Sequence, residues 1–224
     1  MIVYSSKDRQ TVDVIDKRDT MYPSYAIMAR KKVTVQGENI GWATMMGFSF
    51  DNCVIHVGKT RYDLKPNQYF SFPVKCQDVV IDPEADLFAV FRLGFLGHDL
   101  IGTQDVTKQG KLSYIDGCSD SLMVYPPRLG DPTLNYLFFP TNINQSYHTH
   151  PSIRIGCVID GNGTSDTTKG IPLEPGTFFC LEEHELHRFR TENSSMRIIA
   201  YHPDGDWGPT DENHSMLNRT YIKK

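Results

Sequence analysis

Short runs of β-branched and aromatic residues, each closed off by Gly, Pro, Asn or Asp, follow one another through most of this chain. "CVIHVG", "YFSFPV", "DVVI", "LFAVFRLGF", "LNYLFF", "RIGCVI", "TFFCL" and "MRIIAYH" are the clearest, and they hold four to nine residues each. Runs of that length suit strands and are too short for ordinary helices, and punctuation at such intervals belongs to sandwiches and barrels. Helical periodicity is limited to a weak signal around residues 25–31. An all-β architecture is therefore expected.

Length and composition narrow the function classes. The 224 residues suffice for one large or two small domains, and 39% hydrophobic with 22% charged residues is ordinary for a globular chain. A formal net charge of −4, with scattered Lys and Arg, excludes the concentrated basic surface that nucleic acid requires. No stretch approaches the ~20 apolar residues of a membrane helix, and the first residues lack a signal-peptide core. The five cysteines are odd in number, far apart and never form CxxC. A reducing, cytoplasmic setting is expected, without disulfide staples or a cysteine-rich zinc site.

The chain also repeats itself. "VIHVGKTRYDLKPNQYFSFPV" from Val54 and "VIDGNGTSDTTKGIPLEPGTFFCL" from Val158 share a Val-Ile strand, a glycine-bearing turn and a second turn before aromatic residues. Leu64-Lys65-Pro66-Asn67 matches Leu173-Glu174-Pro175-Gly176. A duplication is expected, with halves at 1–112 and 113–224 joined by the polar stretch "GTQDVTKQGKLSYIDG". The tail from 203 onward is polar and turn-rich, yet holds Trp207, Met216 and Leu217. Those three would avoid open water by wrapping the barrel or docking on a partner subunit.

The second half carries the chemistry. His148 and His150 are at i and i+2, so a strand would place both imidazoles on one face. His187 lies on a later strand-like run, beyond the Pro175-Gly176 turn. Three imidazoles suit Fe, Mn, Ni, Cu or Zn and do not name the metal. Singly, each histidine is better read as a strand end or a satisfied core residue; together they favour metal.

His148-Thr149-His150, then Arg154-Ile155-Gly156-Cys157-Val158 with Gly161, then Pro175-Gly176 and, after ten intervening residues, His187, resemble the two motifs of the cupin superfamily. The resemblance is specific over residues 145–202 and weak over the first half, which would then be a degenerate cupin, making the chain a bicupin. It implies two small β-barrels of double-stranded β-helix or jelly-roll type. It also implies one divalent metal on His148, His150 and His187, with iron first and zinc, manganese or nickel as alternatives. A homodimer follows from the same resemblance.

One position departs from the motif. The family's Glu or Gln ligand falls at Arg154 or Ile155, neither of which offers a metal a lone pair. The expected site is thus three-histidine. Arg154 has two readings: over the metal, clamping a substrate carboxylate or phosphate, or turned to solvent by a bulge at Pro151. Glu183 and His202 are reserve ligands, though a turn is expected at Glu183, and Tyr201 is a candidate proton donor. Phe178, Phe179 and Phe189 are expected to line the barrel. The function expected is a mononuclear metal-dependent enzyme, an iron(II) oxygenase acting on a small polar or anionic substrate. The alternatives are a zinc or manganese isomerase or lyase, and a non-catalytic sensor or storage module for a small ligand or metal.

Overall fold

A computed structural model of the chain describes residues 1–7, 10–166 and 170–205. Trp207, Met216 and Leu217 lie outside the described residues. The architecture is all-β: four antiparallel sheets arranged as two pairs.

In the first pair, a six-stranded sheet runs Leu100–Thr103, Gln68–Lys75, Trp42–Ser49, Leu87–Leu93, Ser24–Ala29, Val12–Lys17. It covers a four-stranded sheet of Val33–Val35, Val79–Pro83, Cys53–Val57 and Thr60–Leu64. Met45, Phe70 and Phe72 on the large sheet meet Ile55, Val57 and Ile81 on the small one. In the second pair, a seven-stranded sheet runs Ile2–Tyr4, Phe178–Leu181, Arg154–Gly161, Met196–His202, Thr133–Phe139, Ser119–Val124, Leu112–Ser113. Its small partner holds Gly170–Leu173, Gly163–Asp166 and Arg188–Arg190. Leu137, Phe139, Phe179 and Ile198 meet Leu173 and Phe189 between them.

The two large sheets then pack on each other. Ile15, Met28, Phe48 and Phe88 from one side meet Leu134, Tyr136, Ile155, Cys157, Phe178, Ile199 and Tyr201 from the other. Each large sheet is therefore buried on both faces. That is why Thr133–Phe139 is buried at every position instead of alternating.

Strand order repeats between the pairs. Gln68–Lys75, Trp42–Ser49, Leu87–Leu93 and Ser24–Ala29 take the places of Phe178–Leu181, Arg154–Gly161, Met196–His202 and Thr133–Phe139. The matching turns agree in detail. Asn67 (φ 62°) and Gly176 (φ 84°) both adopt the left-handed conformation after a proline, as a type II turn requires. Asn67 donates its backbone N–H to Ser49, and Gly176 donates to Val158, at equivalent places in the two sheets. The outermost position beside Phe178–Leu181 is filled by Ile2–Tyr4, from the far end of the chain.

One local expectation fails. Residues 25–31, where the sequence hints at a helix, lie mostly in the strand Ser24–Ala29, which is paired on both sides. Tertiary pairing overrides a weak local preference there. Among the described residues, the α-helix is the single turn Gly37–Ile40.

Candidate metal centre

The sequence segment carrying His148 and His150 is held against the segment carrying His187 by a two-residue bridge. His148 N–H donates to His187 O and His187 N–H donates back to His148 O, both at 3.0 Å. Flanking contacts fix the pair. Arg188 lies over the Tyr147 ring at 4.4 Å, and Asp166 binds both Arg188 (3.0 Å) and Arg190 (2.9 Å). On the other side, His184 N–H donates to His150 O at 2.8 Å. His184 accomplishes this from the left-handed region, at φ 56°, within a turn where Glu185 N–H also reaches Glu182 O.

The three imidazoles converge. Their ring centroids lie 4.4 to 5.1 Å apart, and one nitrogen of each falls within 4.8 Å of the others. Backbone carbonyls decide the tautomers. His148 Nδ1 lies 2.9 Å from Ser146 O and His187 Nδ1 lies 2.8 Å from Glu185 O. A carbonyl only accepts, so each Nδ1 carries the proton and each Nε2 keeps its lone pair. His187 Nε2 is buried with no hydrogen-bond partner among the described residues. A buried acceptor left open in this way, beside two more imidazoles, fits a divalent ion.

Burial favours the neutral form of the His150 and His187 rings, as metal ligation requires. Burial pushes His150 down to about 3, helped by the Arg154 guanidinium and then by His187 and His148. Burial also lowers His187 to about 4, against its bond to the Glu185 carbonyl. In the metal-free chain this has a stability consequence. Between about pH 6.5 and 4 the unfolded chain binds protons that the folded one refuses, so stability falls as pH falls through that window. Denaturant unfolding of chelator-treated protein should show that loss between pH 7 and pH 4.5. His150→Ala/His187→Ala should reduce it to the part that buried His202 contributes; equal slopes in the two proteins would contradict the assignment.

Arg154 opens its strand after an irregular stretch at Pro151–Ile153, since proline supplies no N–H to extend the ladder. The irregularity does not turn Arg154 outward. It is 7% exposed and lines the same cavity as His148, His150 and His202. Its Nη1 donates to Ser152 O (3.2 Å), Ser152 Oγ (2.5 Å) and Ile153 O (3.0 Å), and lies 3.8 Å from Asp204 Oδ1. Ser152 Oγ–H in turn donates to Asp204.

Around these groups the second pair of sheets encloses a cavity with a narrow apolar inner part. Leu137, Phe139, Phe179, Leu181, Phe189 and Ile198 wall it. An outer chamber of about 330 Å³ is lined by Asp120, Thr133, Asn135, His150, Arg154 and His202 together with Leu112, Tyr114 and Leu122.

The remaining sequence candidates fall elsewhere. His202 lines the cavity, where burial, Arg154 and His150 hold it well below its ordinary pKa, but it stands outside the three-histidine group. Glu183 points outward in the expected turn, 61% exposed and 3.4 Å from His184 Nε2. Tyr201 sits on the opposite face of its strand. Its hydroxyl is 3.0 Å from Ser24 Oγ in the layer between the large sheets, which removes it from the histidine cavity. Phe178 faces that same layer, so of the three phenylalanines only Phe179 and Phe189 line the site. Asp120 was not singled out by the sequence. Its one signal is an acid inside a β-rich run, "SDSLMV".

Solved structures identify the architecture. The cupin 2 conserved barrel domain protein from Leptotrichia buccalis superposes with a TM-score of 0.57 at 13% identity, covering 85% of this chain and 88% of that one. The fold is of the cupin type. The salicylate 1,2-dioxygenase from Pseudaminobacter salicylatoxidans shares this cupin fold at TM-score 0.54 and 8% identity, over 80% of this chain and 70% of that one. Residues 137–217 match the family model of the AraC-like ligand binding domain. An L-ectoine synthase from Mycobacterium sp. (strain KMS) is 28% identical over 82 residues, 34% of this chain. The match spans 64% of that relative's length. Among the described residues no helix is long and apolar enough to cross a membrane.

Proposed function

We propose that the chain is a mononuclear metal-dependent cupin enzyme in which His148, His150 and His187 hold one divalent ion, iron first. The activity is an oxygenase reaction on a small polar or anionic molecule. The observation that carries this reading is the meeting of three imidazoles, with His187 Nε2 buried and open, beside a cavity-facing Arg154. Bound iron would supply redox chemistry towards oxygen; zinc or manganese would supply Lewis-acid chemistry. Arg154 offers a fixed cation to an acidic group, and its own contacts hold the guanidinium at the rim of the cavity. The wall of Leu137, Phe139, Phe179 and Ile198 excludes water from the inner part.

The first half is read as a cupin without a metal site. Its strand order matches the second half, and the one candidate ligand group among the described residues lies in the second. The assembly proposed is a homodimer, which sedimentation velocity would measure.

Oxygen uptake tests the activity. After anaerobic loading with iron(II), a panel of carboxylates and thiols is expected to include at least one that drives oxygen consumption. Arg154→Gln should then raise KM for an anionic substrate about ten-fold or more, the cost of losing a charge-assisted hydrogen bond. An unchanged KM would sink the clamp. Two further readings have their own support. One is a zinc or manganese isomerase or lyase: the L-ectoine synthase that the chain resembles is named a synthase and not an oxygenase, and turnover without oxygen uptake would select this reading. The match to the AraC-like ligand binding domain favours a sensor or storage module, which ligand binding without turnover would select.

A further inference from the structure

The cavity holds one anionic group that the metal reading does not use. Asp120 lies on the strand Ser119–Val124, three strand positions from the Arg154 strand across Thr133–Phe139 and Met196–His202. It lines both the inner and outer parts of the cavity, together with Arg154, His150 and His202. A relay fixes one oxygen: Thr133 Oγ1–H donates to Asn135 Oδ1 at 2.9 Å, and Asn135 Nδ2 donates to Asp120 Oδ2 at 2.8 Å. The other oxygen, Oδ1, is buried and has no hydrogen-bond partner among the described residues.

A buried carboxylate oxygen without a donor is costly unless something supplies one. The relay prevents Asp120 from swinging away, so the donor must come to it, from the cavity. Burial pushes the carboxyl up to about 6 against the Asn135 bond and a weaker contact from the Ser121 backbone, which leaves Oδ1 without a hydrogen bond, and an arriving cation would reverse that effect.

Arg154 lines the same cavity from a strand three positions away, with Asp204 3.8 Å from its Nη1, and its planar guanidinium suits a carboxylate. The cavity is thus lined by a cation and an anion carried on strands three positions apart, with His150 within the field of Arg154. We infer that this site selects an amphoteric molecule, an amino-carboxylate whose acidic group meets Arg154 and whose ammonium meets Asp120 Oδ1. Asp120 is then the residue that discriminates an amine-bearing ligand from a plain acid. The inference rests on the proposed function only in taking Arg154 as the acid-binding group.

The test uses zinc-loaded full-length protein and calorimetric titration with a length series. The probes are β-alanine to 6-aminohexanoate, each beside the amine-free acid of equal length. At least one amino acid is expected to bind ten-fold or more tighter than its amine-free partner, as a charge-assisted hydrogen bond warrants. Asp120→Asn is expected to abolish that preference while keeping the affinity for the plain acid and one zinc per chain. Asp120→Glu, which keeps the charge, should retain part of it. Equal affinity within every pair, a preference that survives Asp120→Asn, or no binding across the series would overturn the inference. Zinc stoichiometry is measured in the same preparations. A shortfall there condemns the metal site, whereas intact zinc with no amine preference condemns Asp120 alone.

Discussion

Replacing His148 and His150 together by alanine is expected to lower bound divalent metal from one ion per chain to less than about a tenth of that. Disturbing a group that merely orients a ligand costs about 10- to 100-fold in affinity, and removing two of three ligands must cost more. What remains is His187 alone, with Nδ1 committed to the Glu185 carbonyl. Folding itself should survive, because both replaced side chains are only half-buried and the bridge to His187 is made by backbone. The metal's contribution to stability should vanish, however. At a thousand-fold excess over Kd, an ion bound only by the folded state adds about 4 kcal/mol. Denaturant unfolding with and without metal should therefore separate wild type by about that amount and leave the double variant unmoved. Equal metal content in both proteins would refute the assignment.

The second large effect concerns the layer between the two large sheets. Phe178 is fully buried there, stacked on Tyr4 at 5.9 Å and edge-on to Phe88 at 5.9 Å. Phe178→Ala should cost about 3–5 kcal/mol, the transfer loss plus the cavity left in a rigid layer. Because Phe178 touches both pairs of sheets, the chain is expected to melt in one transition shifted downward, followed by near-UV circular dichroism. Two separated transitions, with only one shifted, would show that the layer does not couple the halves. Tyr201→Phe gives the contrast. It removes the bond to Ser24, worth about 1 kcal/mol, and leaves metal content unchanged because the hydroxyl faces away from the histidines.

Much of this was legible from local pattern. The strands, the repeated Pro-Asn and Pro-Gly turns and the histidine spacing all reside in short windows, where punctuation and period carry the information. The turn at Glu183 was also foreseeable from its polar flanks. What escaped depends on which sheet faces which. Tyr201 looked available because alternation implies one wet face, whereas its sheet is packed on both; the run "LNYLFF" in the neighbouring strand, apolar on both faces apart from Asn135, was the signal for that. Arg154 stayed undecided because an uninterrupted strand and a bulge at Pro151 predict opposite faces. In the fold, Ile153 enters the layer between the sheets and Arg154 enters the cavity. Asp120 is remote from the histidines in sequence and joins them only through register across four strands.

The most direct measurement of the central claim is X-ray absorption at the metal edge of protein loaded with one equivalent of iron(II) or zinc. Three imidazoles per ion are expected by multiple scattering, with no protein carboxylate from Glu183, and imidazole scattering is expected to be lost in His148→Ala/His150→Ala. An ion with fewer than two imidazoles in the wild type, or an unchanged spectrum in the variant, would contradict the claim.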